Sequence, residues 1–318
     1  MPAKRIFITG ASGCIGHYIA DLLIQRTSHE LFFMVRDISK LKFDYNARPG
    51  ITIIPGDMRE IEQVGRLLKT MQVAILAATA WGGEDVFDVN VIKTVRLLNL
   101  LDPDVCEQVI YFSTASILDR HNQPLKAAGE LGTDYIRSKY TCHLQLSKLA
   151  IAPKITTLFP TLVFGGEDNK PYSHLSSGLK DVLKWADLIR FLQTDASFHF
   201  LHAHDIAQVV TYFVDHPPDA NDPHEFVLGN PVLTVNQAVK EICTYLNKRI
   251  YFRIPLSPQL AELLIAVFRI QVADWDRFCM SYRHFSYQNP VSPESFGLIT
   301  YYPTLRDLLK ASGISPYP

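Results

Sequence analysis

The sequence predicts an α/β protein: a doubly wound parallel sheet joined to a smaller, mainly C-terminal domain. Three observations predict it. Apolar runs of strand length alternate with helix-length segments through the first half of the chain. Those runs are continuously apolar rather than alternating, as strands covered on both faces require. The 318 residues, 47% hydrophobic and 20% charged, are enough for one large domain or two moderate ones.

The elements follow in order. Arg5–Thr9 is the first strand and runs into a glycine-rich turn. Ile15–Gln25 has helical length, and Leu31–Arg36 is the second strand. Ile51–Pro55 is the third, closed by Gly56 and Asp57. Glu60–Lys69 reads as a helix, Val73–Ala78 as the fourth strand and Val86–Leu101 as the next helix. Val109–Ser113 is the fifth strand, and Ile155–Phe159 the sixth, ending at Pro160. Alternation of this kind builds right-handed βαβ units. The pattern changes after Phe164. Residues 165–171 are polar and turn-rich, and residues 216–224 form a loop with three prolines. Thr234 opens a helix with a capping box to Gln237 and apolar positions at Val235, Ala238, Val239, Ile242 and Leu246. The expected division is residues 1–160 as one domain, with 199–229 returning to it, and 161–198 with 230–318 as the other.

Composition excludes several roles. The 31 Lys and Arg nearly cancel 32 Asp and Glu, so no basic surplus exists for binding nucleic acid by bulk charge. Five dispersed cysteines, without a C-x-x-C pair, suggest free thiols in a reducing cytoplasm rather than a disulfide framework or a zinc site. The N-terminus leads directly into a strand-like run, with no apolar signal segment. The most apolar stretch, Leu260–Ala273, is broken by Glu262 and Arg269. It is shorter than the roughly 20 residues a membrane span needs and reads as a buried helix.

Four groups of residues carry chemistry. The first is Gly10-Ala11-Ser12-Gly13-Cys14-Ile15-Gly16, between a strand and a helix. Glycines let the backbone approach a pyrophosphate, and the helix N-terminus offers free N–H groups. The second is Arg36 at the end of the second strand, where an Arg suits the 2′-phosphate of NADP(H) and an acidic residue the ribose of NAD(H). Asp37 follows and keeps NAD(H) as the alternative. The third is Tyr135 with Lys139, one helical turn apart on one face, where an ammonium would lower the phenol pKa. The fourth is Ser113-Thr114-Ala115-Ser116, whose hydroxyls end the fifth strand on the same edge and would hold a substrate oxygen near Tyr135. His199, His202, His204 and Asp205 resemble metal-ligand spacing, but adjacent strand residues face opposite ways, and no metal is expected. Glu84 and Asp85 read as a solvated turn. Trp275–Phe285 and Tyr301-Tyr302 suggest a partly apolar pocket lining, which core packing explains equally well.

Together these features resemble the extended short-chain dehydrogenase/reductase family, also called the NAD-dependent epimerase/dehydratase family. The resemblance rests on Thr9–Gly16, Gly56–Arg59, Ala77-Ala78, Asn90, Phe112–Thr114, Tyr135–Lys139, Pro160–Gly165 and Phe200–Ala207 in order. It implies a Rossmann domain followed by a substrate-binding domain. It implies that Tyr135 is the acid/base and that Lys139 holds the nicotinamide ribose. Thr114 would bind the reacting oxygen, with Ser113 in reserve. Asp57 and Met58 would flank the adenine, Ala77, Ala78 and Thr79 would back the ribose, and Pro160 would lie near the carboxamide. Three departures stand out: Phe159 replaces a usual Arg, Leu118-Asp119 a usual Tyr-Gly, and Thr161 the Asn of many sugar-nucleotide members. The expected function is therefore NADP(H)-dependent reduction of a carbonyl, or oxidation of an alcohol, in a small organic substrate. The alternatives are a sugar-nucleotide epimerase or dehydratase with retained NAD(P), and a non-enzymatic dinucleotide-binding sensor or assembly factor. Relatives often pair through the helices flanking strand five, so a homodimer is the expected partner.

Overall fold

A computed structural model describes residues 2–219, 224–257 and 271–316. Its centre is a seven-stranded parallel sheet. The first six strands in sequence are β1 (Arg5–Thr9), β2 (Glu30–Val35), β3 (Ile51–Pro55), β4 (Val73–Leu76), β5 (Gln108–Phe112) and β6 (Ile155–Pro160). The order across the sheet is Glu225–Leu228, β6, β5, β4, β1, β2, β3. The expected doubly wound Rossmann sheet is therefore present, with each predicted strand within two residues of its place.

Alternate residues of the same strand feed two cores. Ile6 and Ile8 of β1 pack with Phe33 and Val35 under the helices Cys14–Arg26 and Ala203–Asp215. Phe7, between them, packs on the other face with Met34, Ala74, Leu97 and Cys142. All three β1 side chains are fully buried. Each such burial is worth about 1.5–3 kcal/mol, so continuous apolarity is what a sheet sandwiched between helices needs.

Two predicted helices prove composite. Glu60–Lys69 is a 3-10 segment, Met58–Val64, kinked at Glu60 and followed by a single α turn, Gly65–Leu68. Asp57 starts it by accepting from the Arg59 N–H, and Gly65 is a weak helix former. Val86–Leu101 begins as a π-helical segment, Asp88–Lys93, before Thr94–Leu100. Such π-turns commonly mark functional sites.

After β6 the chain adds β7 (Leu162–Phe164), which pairs in parallel with Phe200–His202 outside the main sheet. Thr234 forms the predicted capping box and opens the helix Val235–Tyr245. Trp275 and Phe285 pack with Phe278 and Tyr287 on the helices that follow β5, and Tyr302 stacks on His202, with ring centroids 3.8 Å apart. Core packing thus accounts for Trp275, Phe285 and Tyr302, Tyr301 is half exposed, and none of them lines the cavity described below. The apolar stretch Leu260–Ala273 lies, except for its last three residues, outside the described part. No described helix is long and apolar enough to cross a membrane.

Candidate active site

A cavity of about 890 Å³ opens along the carboxyl edge of the sheet, where ligands of doubly wound folds bind. The candidate residues of the four groups line it except Ala11, Asp37 and Ala115. Ala11 is fully buried in the core instead.

The glycine loop is shaped by close approach. Gly10 has φ +78°, and a Cβ there would lie 2.5 Å from the Ala77 and Ala78 backbone. A Cβ on Gly16 would lie 2.1 Å from the Gly10 carbonyl oxygen. No side chain caps Gly13, so the N-terminus of helix Cys14–Arg26 is left to the cavity. A cradle of bare backbone, two small alanines and an uncapped helix end fits a dinucleotide pyrophosphate. Ser12 and Ile15 join this wall. The Cys14 thiol is pushed up to about 12 by burial and is no nucleophile at neutral pH.

The outer end, where an adenine is expected, carries Arg36, Lys40, Asp57, Met58 and Arg59. Asp37 does not line the cavity; its carboxylate accepts from the Ser39 N–H at 3.0 Å and hydroxyl at 2.6 Å. The ribose role left open for Asp37 therefore loses its support. Burial pushes the Asp57 carboxyl up, but hydrogen bonds from Arg59 and the charges of Arg59 and Arg36 outweigh it and hold the group below its usual range. Asp85, expected in a solvated turn, pairs with Arg59 at 3.1 Å and lines the same cavity.

The inner end brings together Tyr135, Lys139, Thr114, Ser113 and Pro160. Helix Asp134–Leu146 presents both Tyr135 and Lys139, with Thr133 capping it. Burial pushes the Tyr135 phenol up to about 12, while hydrogen bonding with the Thr114 side chain works against that rise. Lys139 is 2% exposed, and burial lowers its ammonium to about 8. It donates to the Phe112 carbonyl at 2.7 Å and sits 5.0 Å from the Tyr111 ring. The Lys139 ammonium is engaged by the strand end, and the group that opposes the rise in the Tyr135 phenol is Thr114. Ser113 offers a buried hydroxyl without a partner among the described residues.

Asn90, on the π-turn, holds the loop after β4. It accepts from the Ala80 N–H and donates to the Ala80 carbonyl, both at 2.8 Å, and accepts from the Thr79 hydroxyl at 3.1 Å. It also donates to Ser138 on the Tyr135 helix at 3.0 Å. Sequence reasoning missed Lys40, Trp81, Tyr172 and His174, which line the cavity from loops and element ends; no spacing marked them.

The histidines are structural. His199 bonds the Asn230 carbonyl and accepts from the Tyr287 N–H. His202 caps the helix Ala203–Asp215, and the buried Asp205 accepts from the N–H groups of Tyr301 and Tyr302.

This edge-on cavity combines a glycine cradle at its middle with a Tyr/Lys pair at its inner end. The chain belongs to the NAD-dependent epimerase/dehydratase family, whose model matches residues 6–229. No curated protein matches the sequence significantly. Among solved structures, gox2253 is 18% identical, with a TM-score of 0.64 over 99% of this chain and 94% of that one. A dTDP-glucose 4,6-dehydratase from Bacillus anthracis str. Ames, in complex with NAD, is 14% identical, with a TM-score of 0.64 over 98% and 96%. A UDP-glucose-4-epimerase from Stenotrophomonas maltophila, with bound NAD and formylated UDP-arabinopyranose, is 15% identical, with a TM-score of 0.64 over 97% and 96%. At these identities the likeness is one of fold.

Proposed function

We propose that the chain moves a hydride between a nicotinamide dinucleotide and a carbinol or carbonyl carbon of a small organic substrate, with Tyr135 as proton carrier. The convergence of Tyr135, Lys139 and Thr114 at the inner end of the glycine-loop cavity carries this reading. The backbone of residues 10–16 would hold the pyrophosphate, and Ala77, Ala78 and Thr79 the ribose beside it. Asp57 and Met58 would flank the adenine and Pro160 the carboxamide. A bound nicotinamide supplies the hydride acceptor or donor. In oxidation, Tyr135 acts as the phenolate and takes the substrate hydroxyl proton as the carbon gives up hydride; in reduction, the neutral phenol returns that proton to the oxygen as hydride arrives at the carbon. Thr114 orients the oxygen, with Ser113 behind it, and the Lys139 cation favours negative charge nearby. Residues 161–198 and 230–318 would shape the substrate end.

Family membership and the fold of the solved neighbours favour the branch in which the dinucleotide is retained and the substrate is epimerised or dehydrated. Two observations favour the other branch, an NADPH-consuming carbonyl reductase. Arg36 faces the adenine end, and Thr161, where many sugar-nucleotide enzymes place Asn, spends its hydroxyl on the Leu228 carbonyl at 2.8 Å. A cytoplasmic setting and pairing through the helices that flank β5 belong to the same reading.

Tyr135→Phe tests the core of it. Turnover is expected to fall about 10²–10⁴-fold, with dinucleotide affinity retained. Undiminished turnover on a verified substrate would overturn the assignment.

A further inference from the structure

Trp81 stands at the mouth of the cavity, and the proposed chemistry leaves it without a role. It is 53% exposed although indole rings are usually largely buried. Its ring stacks on that of Tyr135, with centroids 4.2 Å apart and planes inclined by 23°. His174, at the start of helix His174–Lys184, lies 4.4 Å away at 60°. The position of the indole is built. Asn90 clamps both backbone groups of Ala80, the residue before it, and ties that loop to Ser138 on the Tyr135 helix. The register between indole and phenol is therefore fixed through one buried amide. Gly82 and Gly83 follow, with nothing within 4 Å of a Cβ built at either.

The charge around this stack is one-sided. Among the described residues, the Lys and Arg side chains lining the cavity are Arg36, Lys40 and Arg59 at its outer end and the buried Lys139 at its inner end. The lining from residues 160–175 adds Thr161, Ser173 and His174 to apolar side chains such as Leu162, Tyr172 and Leu175, and it contributes no Lys or Arg. Among the described residues, a diphosphate-bearing substrate would find no such cation in that part of the lining.

We propose that Trp81 is a substrate-positioning residue, and that the exposed half of its indole packs against the apolar face of an uncharged cyclic substrate held at Tyr135. This rests on the proton-carrier reading of Tyr135. A flat ring seated on an indole face gains contact area with little loss of side-chain freedom, and the fixed stack would set the distance between that ring and the phenol.

The test follows the protein's tryptophan emission, excited at 295 nm, in the presence of saturating NADP+. Cyclohexanone, 1-tetralone and UDP-glucose are the titrants. At least one uncharged ketone should quench wild-type emission. Trp81→Phe should lose that quench while keeping its unfolding temperature. Trp81→Ala should raise the Kd for that ketone at least tenfold and change that for NADP+ less than twofold. Binding of UDP-glucose alone, quenching unchanged in Trp81→Phe, or no binding by either ketone would each overturn the proposal. Tyr135→Phe separates this from the catalytic reading: it should keep the quench while losing turnover. Turnover surviving in Tyr135→Phe would sink the catalytic reading and leave the quench to be judged by itself.

Discussion

In the proposed reading, Arg36 decides with one guanidinium which dinucleotide the cavity prefers. Its neighbour Asp37 is committed to Ser39, so the acidic competitor for a ribose hydroxyl is turned aside. Arg36 and Lys40 both line the adenine end, and a guanidinium binds phosphate by charge-assisted hydrogen bonds. Arg36→Ala is expected to weaken NADPH binding about 10–100-fold, from the roughly 1.5–3 kcal/mol of a hydrogen bond to a charged group. NADH binding should change little, as fluorescence titration of both nucleotides would report. Equal loss for both would assign Arg36 a structural role instead. At this scale the sequence was most readable where chemistry needs a residue type at fixed spacing: Gly10, Gly13 and Gly16, or Tyr135 and Lys139. Trp81 and His174 were not readable, because their encounter depends on how two distant loops close over the sheet edge. The consequence of burying Lys139 was equally hidden. The i, i+4 spacing places it beside Tyr135, but only the folded chain shows its ammonium on the Phe112 carbonyl.

The helix Ala203–Asp215 illustrates what a single cap contributes. His202 stands at its N-cap, and its Nδ1 accepts from the His204 N–H at 3.1 Å. Burial lowers the His202 pKa from 6.5 to about 4. The unfolded chain therefore binds more protons between those values, and stability rises with pH across that window. Read downward, the contribution of neutral His202 is lost as pH falls from about 6.5 to 4, where the folded imidazole also charges and its acceptor is gone. His202→Asn retains a good capping side chain without the titration. Unfolding temperatures from pH 7 to 4 should fall less for that variant than for the wild type; parallel curves would contradict the assignment. Sequence recovered the strands better than the helices. A continuous apolar run of five residues has few outcomes in an α/β chain, and β1 and β3 stand where the pattern put them. Hydrophobic spacing does not separate α from 3-10 or π windings, so Glu60–Lys69 and Val86–Leu101 came out composite. The π-turn is also where Asn90 sits, and its winding aims the amide at Ala80 and Ser138.

The whole molecule gathers the cavity-lining residues along one edge of one sheet. The parallel register pairs Thr9 with Leu76 and Leu76 with Tyr111, so β1, β4 and β5 end together. The glycine loop, the Ala77–Ala80 loop and the Ser113-Thr114 turn then open into a common cavity. That much was legible, because parallel βαβ order fixes which strand ends meet. The second half was legible only in pieces, such as the capping box at Thr234. Its short strands pair across long separations, Ser197–Phe198 with both Leu233–Thr234 and His284–Phe285, and no local pattern announces such partners. The central claim is that this edge binds a nicotinamide dinucleotide in the native state. It is tested most directly by following the unfolding temperature against increasing NADPH and, separately, NADH. A ligand bound only by the folded chain adds about 2.7 kcal/mol of stability at a hundredfold excess over its Kd. The expected result is a concentration-dependent rise with both, larger for NADPH. No rise with either, together with no nucleotide absorbance in the supernatant of the denatured protein, would contradict it.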